Sequence, residues 1–154
     1  MKNQNRLPNA LFILSVPFAY LAVWISADIT AYFKNVPYNI PFGRAALSAS
    51  FLFAIALIFN LILKGPHTSL LRVIGTGLIT VLTAYFALAL IETFYWSSVM
   101  KDEVNNGFTY IFGVRLGVYL GRFIPVSLCL CLVTLIIGRN IILKKQNKVV
   151  SQTF

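Results

Sequence analysis

Charged side chains are scarce in this sequence, and carboxylates are the scarcest of them. Only 11% of the 154 residues are charged, and four Asp and Glu stand against 13 Lys and Arg. A soluble globular domain has roughly 25% charged and about 45–50% apolar residues, whereas this chain is 58% hydrophobic. A soluble fold of this length cannot bury so much apolar surface, but a bilayer accommodates it on the outside of the protein. The composition therefore predicts a membrane protein.

Histidine and cysteine are nearly absent, which excludes several kinds of site. His67 is the only histidine, so one chain can hold neither a bis-histidine haem nor a histidine-rich metal centre. Cys129 and Cys131 lie two residues apart in an apolar run and would point to opposite faces of a helix, so they cannot pair or share one metal. Gly75 and Gly77 do not continue into a phosphate-binding loop. We therefore predict no catalytic residue, no metal site and no cofactor.

The net charge of +9 is large enough to raise the question of a nucleic-acid partner, but its distribution argues against one. The basic residues lie in the breaks between apolar runs, where positive-inside sorting places them in membrane proteins. Anionic lipid headgroups are then the nearest partner for these cations. The pattern predicts contact with the lipid bilayer and no binding of nucleic acid.

Four apolar runs predict four transmembrane helices, because a helix needs roughly 20 apolar residues to cross the hydrocarbon core. The predicted spans cover about 11–32, 45–63, 73–100 and 112–143. Residues that disfavour helices separate the runs, as at Gly65-Pro66 and Asn106-Gly107. The sequence thus predicts a single integral membrane domain over residues 1–154, with an all-α fold of four helices in a transmembrane bundle joined by short loops.

Lysine and arginine are unevenly divided between the two sides of this topology. The side with both termini and the second loop carries Lys2, Arg6, Lys64, Arg72, Arg139, Lys144, Lys145 and Lys148. The opposite side carries Lys34, Arg44 and Lys101 in loops, and Arg115 and Arg122 at the mouth of the fourth span. Because cytoplasmic loops are enriched in Lys and Arg, we expect both termini in the cytoplasm. A plasma membrane is the expected location, and a bacterial inner membrane fits it best.

Two of the four acids, Asp28 and Glu92, fall inside predicted spans. A charge at a helix centre costs about 2.5–3.5 kcal/mol on insertion scales, so such residues usually face the bundle interior and find a partner. Arg115 and Arg122 are seven residues apart and share a helix face. Depths counted from the predicted span ends place all four in one layer. We predict an intramembrane ionic cluster, with Glu92–Arg122 and Asp28–Arg115 as its simplest pairs and a shared network as the alternative.

Three glycines in the fourth span recur at spacing four, roughly opposite the two arginines. Gly113, Gly117 and Gly121 form a small-residue stripe of the kind that lets helix backbones approach closely. We predict that this helix-packing stripe joins the fourth span to its neighbours, which would place that span centrally in the bundle. The alternative is a seam between two copies of the chain, that is, a homo-oligomer. Pro125 predicts a kink in the same helix.

Aromatic residues share helix faces with the two intramembrane acids. In the first span, Tyr20 and Trp24 lie on the face that ends in Asp28, and in the third span Tyr85 shares a face with Glu92. Two interpretations are open. The faces line a polar crevice, or they form a tight aromatic and ionic core, which is the more common use of such residues.

Two classes of function fit these features. The first is a non-catalytic protein that binds a membrane-protein partner within or at the bilayer, as an accessory subunit or a protective protein. Immunity proteins against pore-forming bacteriocins have this size and topology, although no motif residue matches. The second is a small transporter or channel subunit that uses the Asp/Glu/Arg cluster, and it requires a carboxylate that can titrate. No feature supports an enzyme.

Overall fold

The computed structural model describes residues 6–34, 42–63, 69–99 and 107–151, and nearly all of these are helical. The helices are α1 (Arg6–Phe33), α2 (Phe42–Ile62), α3 (Leu70–Val99), α4 (Phe108–Val118) and α5 (Ile124–Ser151), and a π-helical turn (Tyr119–Phe123) joins α4 to α5. α4, the π-helical turn and α5 form one continuous fourth span. No strand occurs in the described residues, and the predicted all-α four-helix bundle is confirmed. Outside the described residues lie the predicted turns at Gly65-Pro66 and Asn106, and also Lys2, Lys64, His67 and Lys101.

Four helical segments are long and apolar enough to cross a membrane, which agrees with the predicted multi-pass membrane protein. They are Pro8–Ala31, Gly43–Ile62, Leu70–Ser98 and Phe108–Lys144. Large apolar side chains point outward on every span; examples are Phe18, Leu47, Leu71 and Ile137. Such a surface suits lipid, since helices satisfy their own backbone hydrogen bonds and expose only side chains to the hydrocarbon.

The spans are arranged as a ring in which each packs against its neighbours in the sequence. α1 contacts α2, α2 contacts α3, and α3 contacts both α4 and α5. The ring closes because α5 also packs along α1. The fourth span therefore occupies a corner of the ring like the other three, rather than the central place predicted for it. We call the end of the bundle where α1 and α3 finish and α2 and α4 begin the Lys34 end.

Close helix packing occurs at Gly77 and not at the predicted glycine stripe. A Cβ at Gly77 would lie 3.0 Å from Cδ2 of Leu132, so α3 and α5 touch there. Around Gly113, Gly117 and Gly121 no such atom would meet anything within 4 Å, and all three glycines are exposed. The stripe therefore packs against no described part of this chain, contrary to the prediction.

The reason lies on the opposite face of the same helix. Tyr119 and Phe123 lie four residues apart, on the side away from the stripe, and both are buried in the core of the bundle. Each aromatic side chain buries far more apolar area than a glycine. The hydrophobic effect therefore turns this face inward and leaves the glycines outside.

The fourth span contains a π-helical turn directly before Pro125. A proline has no N–H to donate to the carbonyl four residues earlier, which here belongs to Gly121. The N–H of Ile124 bonds instead to the carbonyl of Tyr119, five residues back, and this is the pattern of a π-helix. The irregularity predicted at Pro125 thus takes the form of a change in helix register within the preceding turn.

Candidate functional site

An ionic cluster centred on Glu92 joins three of the four spans near the Lys34 end. Glu92 is only 7% exposed. Its Oε2 lies 3.3 Å from Nη2 of Arg44 on α2 and 3.5 Å from Nη1 of Arg115 on α4. The hydroxyl of Ser48 donates a hydrogen bond to Oε1 at 3.4 Å. We call these residues, together with Trp96, the Glu92 cluster.

Helix geometry explains why these residues meet. Arg44 and Ser48 are four residues apart on α2, and Glu92 and Trp96 are four apart on α3, so each pair shares a face. α3 and α4 are consecutive antiparallel helices. Glu92 lies seven residues before the end of α3, and Arg115 lies seven residues after the start of α4. Both are therefore about 10 Å from their helix ends, at the same depth.

Trp96 brings the two arginines together over one aromatic ring. The Cζ atoms of Arg44 and Arg115 lie 4.8 Å and 5.3 Å from the Trp96 ring centroid, within the roughly 6 Å of a cation–π contact. The ring and the carboxylate of Glu92 thus share the same two cations. The cluster has one negative and two positive groups, so it keeps an excess positive charge.

Tyrosines extend the polar contacts of the cluster into the core. The hydroxyl groups of Tyr20 and Tyr119 lie within electrostatic range of Glu92. Deeper in the bundle, the hydroxyl of Tyr85 forms a 2.6 Å hydrogen bond with Ser127. Tyr20 and Tyr85 are fully buried and pack against aromatic neighbours with tilted rings, at centroid distances of 5.2–6.4 Å. For these residues the tight core is the correct interpretation of the two aromatic faces.

A crevice of about 920 Å³ separates α1 from the fourth span beside the Glu92 cluster. We call it the cationic crevice, because Lys34, Arg115 and Arg122 line it, and no carboxylate among the described residues does. Its remaining lining residues are Val23, Trp24, Ser26, Ala27, Thr30, Ala31, Val118, Tyr119, Phe123 and Val126. The two aromatic residues of the α1 face thus have different surroundings. Trp24 lines the crevice, and Tyr20 lies in the core.

The structure joins only two of the four residues of the predicted ionic cluster. Glu92 and Arg115 meet, but neither predicted pair forms. Arg122 lies in the π-helical turn, is exposed and lines the cationic crevice. Asp28 is half-buried, and within the described residues no Lys or Arg nitrogen lies within 4.0 Å of its carboxylate.

Two features of the fourth span account for this difference. Its helix begins at Phe108 instead of residue 112, which places Arg115 level with Glu92 and Arg122 about 10 Å deeper. The π-helical turn then interrupts the regular spacing between the two arginines. Because of these two shifts, Glu92 contacts Arg115, and Arg122 lines the cationic crevice instead.

Arg44 is the residue that the sequence argument missed. The predicted second span starts at Ala45, which puts Arg44 in a loop. In the structure α2 begins at Phe42, and Arg44 lies inside the helix. A signal for this was present, because Ser48 stands one helical turn later on the same face.

Comparison with protein families, with curated proteins and with solved structures finds no match to this chain.

Proposed function

We propose that the protein acts by binding a membrane-protein partner within the bilayer, as an accessory subunit or a protective protein, without catalysing a reaction. The observation that carries this proposal is the exposed glycine face of the fourth span. Gly113, Gly117 and Gly121 leave a shallow groove that meets nothing of the described chain. Exposed Val114 and Leu120 stand on either side of it. A transmembrane helix of a partner can approach such a groove closely.

The Glu92 cluster supports the same proposal by its rigidity. It ties α2, α3 and α4 together through one buried carboxylate, so the glycine face belongs to a fixed surface. A preformed surface binds with a smaller loss of conformational entropy than a flexible one. The proposal includes a plasma membrane, most simply a bacterial inner membrane, with both termini in the cytoplasm, which rests on the distribution of Lys and Arg.

Site-specific photocrosslinking in native membranes tests the proposal. A photoreactive residue at Leu120 should give one discrete product, and Gly117→Leu in the same chain should abolish it by filling the groove. The matched control is the same photoreactive residue at Leu47, an exposed position on α2, which should give no such product. A product of twice the mass of the chain would identify a second copy as the partner. Equal capture from both positions, or capture unaffected by Gly117→Leu, would overturn the proposal.

A transporter or channel subunit is the second candidate, and Asp28 is the observation that favours it. Such a protein needs a carboxylate able to bind and release a proton. Glu92 fits poorly, because two guanidinium groups already contact it. Asp28 is half-buried and has no cation within ion-pair distance among the described residues. Proton-coupled flux in proteoliposomes that is lost in Asp28→Asn would promote this candidate.

A further inference from the structure

The cationic crevice holds more positive charge than the described residues neutralise. Arg115 shares its charge with Glu92, at 3.5 Å. Lys34 and Arg122 have no carboxylate within 4.0 Å in the part of the chain that the structure describes. Arg122 belongs to a segment that is long and apolar enough to cross a membrane. A cation in such a segment needs a counter-charge, since its cost in hydrocarbon is about 2.5–3.5 kcal/mol or more.

The crevice is polar at one end and apolar at the other. Lys34 lies at the end of α1, with Thr30 and Ser26 below it. The hydroxyls of Ser26 and Thr30 donate to backbone carbonyls of α1, so the three cations are the charged side chains that an anion in the crevice would meet. Towards α5 the lining changes to Phe123 and Val126.

An apolar groove continues from this end of the crevice along α5. Its lining residues are Pro125, Val126, Cys129, Leu130 and Val133, and its volume is about 390 Å³. Val126 belongs to both cavities. A ligand that follows this path places a charged group among cations and an apolar chain against α5, and this is the shape of a membrane lipid.

We propose that the cationic crevice and the groove along α5 together bind one anionic phospholipid, with its phosphate-bearing headgroup between Lys34, Arg115 and Arg122 and one acyl chain on Val126 and Leu130. Lipid is the anion available here, because Val118, Val126 and Val133, which line the two cavities, are exposed on the apolar surface of the bundle. The crevice volume lies within the roughly 300–1,000 Å³ of ordinary ligand sites. The proposal is independent of partner binding, since the glycine face lies on the other side of the fourth span.

Retention of lipid by the purified protein tests this inference. The chain is delipidated in a neutral detergent and then titrated with phosphatidylglycerol, phosphatidylcholine or inorganic phosphate. Native mass spectrometry and the unfolding temperature are the two measurements. We expect one retained phosphatidylglycerol and a raised unfolding temperature, with neither effect from phosphatidylcholine or from phosphate.

Single substitutions locate the site. Arg122→Gln should weaken phosphatidylglycerol binding by about tenfold, because one charge-assisted contact is lost. The matched control is Arg72→Gln, which removes the same charge from an exposed position on α3 that lines neither cavity. Lys34→Gln is a second variant at the exposed end of α1, for use where Arg122→Gln fails to fold. Val126→Trp should fill the groove and weaken binding of long-chain phosphatidylglycerol more than that of its short-chain analogue.

Three outcomes would overturn the inference. Equal loss of binding in Arg122→Gln and Arg72→Gln would show that net charge, and not this crevice, attracts the lipid. Equal retention of phosphatidylcholine would show that the headgroup charge is not recognised. Stabilisation by inorganic phosphate to the same extent as by lipid would identify a site for a free anion. Because Arg122→Gln leaves the glycine face intact, partner capture should persist in that variant, and the two proposals can fail separately.

Discussion

Glu92 is the residue on which the charge balance of the bundle depends. It is the only acid in contact with Arg44 and Arg115 among the described residues. Both distances exceed the roughly 2.7–2.9 Å of a tight charge-assisted hydrogen bond, so the contacts are ionic and not strongly directional. Losing either arginine leaves Glu92 one cation, whereas losing Glu92 leaves two guanidinium groups facing each other. The three residues are therefore not equivalent.

We expect Glu92→Gln to be the most destabilising neutral substitution in the cluster. Breaking a buried ion pair costs about 3–5 kcal/mol, and partial exposure of the two arginine side chains, 27% and 32%, should bring the loss to the lower part of that range. Arg44→Gln and Arg115→Gln should each cost less, because the other arginine still compensates Glu92. Reversible unfolding in mixed detergent micelles measures the free energy of unfolding of each variant.

A double-mutant cycle distinguishes the observed pairing from the predicted one. Glu92→Gln combined with Arg115→Gln should recover part of the loss, since one uncompensated guanidinium, that of Arg44, then remains instead of two. Glu92→Gln combined with Arg122→Gln should be additive, because Arg122 lies about 10 Å deeper along the helix. Coupling between Glu92 and Arg122 would contradict the structure and restore the pairing predicted from sequence.

The sequence indicated an arginine partner for Glu92 but not which one. The cost of intramembrane charge is general chemistry, so the existence of an ionic cluster follows from composition and placement. Choosing among arginines requires helix boundaries accurate to a few residues, and sequence patterns do not locate boundaries that well. The predicted second span begins one residue after Arg44. This small error in the boundary excluded Arg44 from the predicted cluster, although it belongs to the Glu92 cluster.

At the scale of elements, the helices could be predicted from the sequence, but which face of each helix is buried could not. Long apolar runs bounded by turn residues identify spans. Which face of the fourth span turns inward depends on competition between the glycine stripe and the face with Tyr119 and Phe123, and the aromatic face buries more area. The π-helical turn before Pro125 changes the register along the helix, and no periodicity argument built on 3.6 residues per turn anticipates it.

Substitutions at two glycines should therefore differ in their effect on stability. The closely packed Gly77 should be sensitive, and Gly117 of the stripe should not. Gly77→Leu should lower the free energy of unfolding by about 1–3 kcal/mol, the usual cost of overpacking, because Leu132 already lies 3.0 Å from the position of a Cβ. Gly117→Leu should leave stability nearly unchanged, since its surroundings are open. Thermal unfolding in detergent compares the two variants directly. Destabilisation by Gly117→Leu in the isolated chain would mean that the stripe packs after all.

At the scale of the whole molecule, composition determines the class of protein and the topology determines the ring. A chain with this little charge and this much apolar surface suits a bilayer. Four consecutive antiparallel spans most simply pack in sequence order, and the fourth then closes on the first. The cationic crevice arises at this closure, between helices that are distant in the sequence, and no local pattern predicts such a cavity.

Accessibility of single cysteines tests the proposed orientation. In a chain whose Cys129 and Cys131 are replaced by alanine, Thr109→Cys should react with a membrane-impermeant reagent added outside intact cells. Gln152→Cys should react only after the membrane is opened. The expectation rests on the excess of Lys and Arg on the side of the termini. The reverse labelling pattern would place the Glu92 cluster and the cationic crevice in the cytoplasmic half of the bilayer.

The sharing of Glu92 between two arginines also has a consequence for biogenesis. Proteins are made from the N-terminus, so α2 enters the membrane before α3, and α4 follows α3. Arg44 is therefore already in place when Glu92 is inserted, and it shields the acid from hydrocarbon until Arg115 arrives. In a chain that stops after α3, Arg44→Gln should reduce membrane integration of α3, as measured by protection from protease. In the full chain, Arg115→Gln should lower final stability but not that integration step. The Arg44–Glu92 pair thus forms first and assists insertion of α3, and the Arg115–Glu92 pair forms later, when α4 packs against α3.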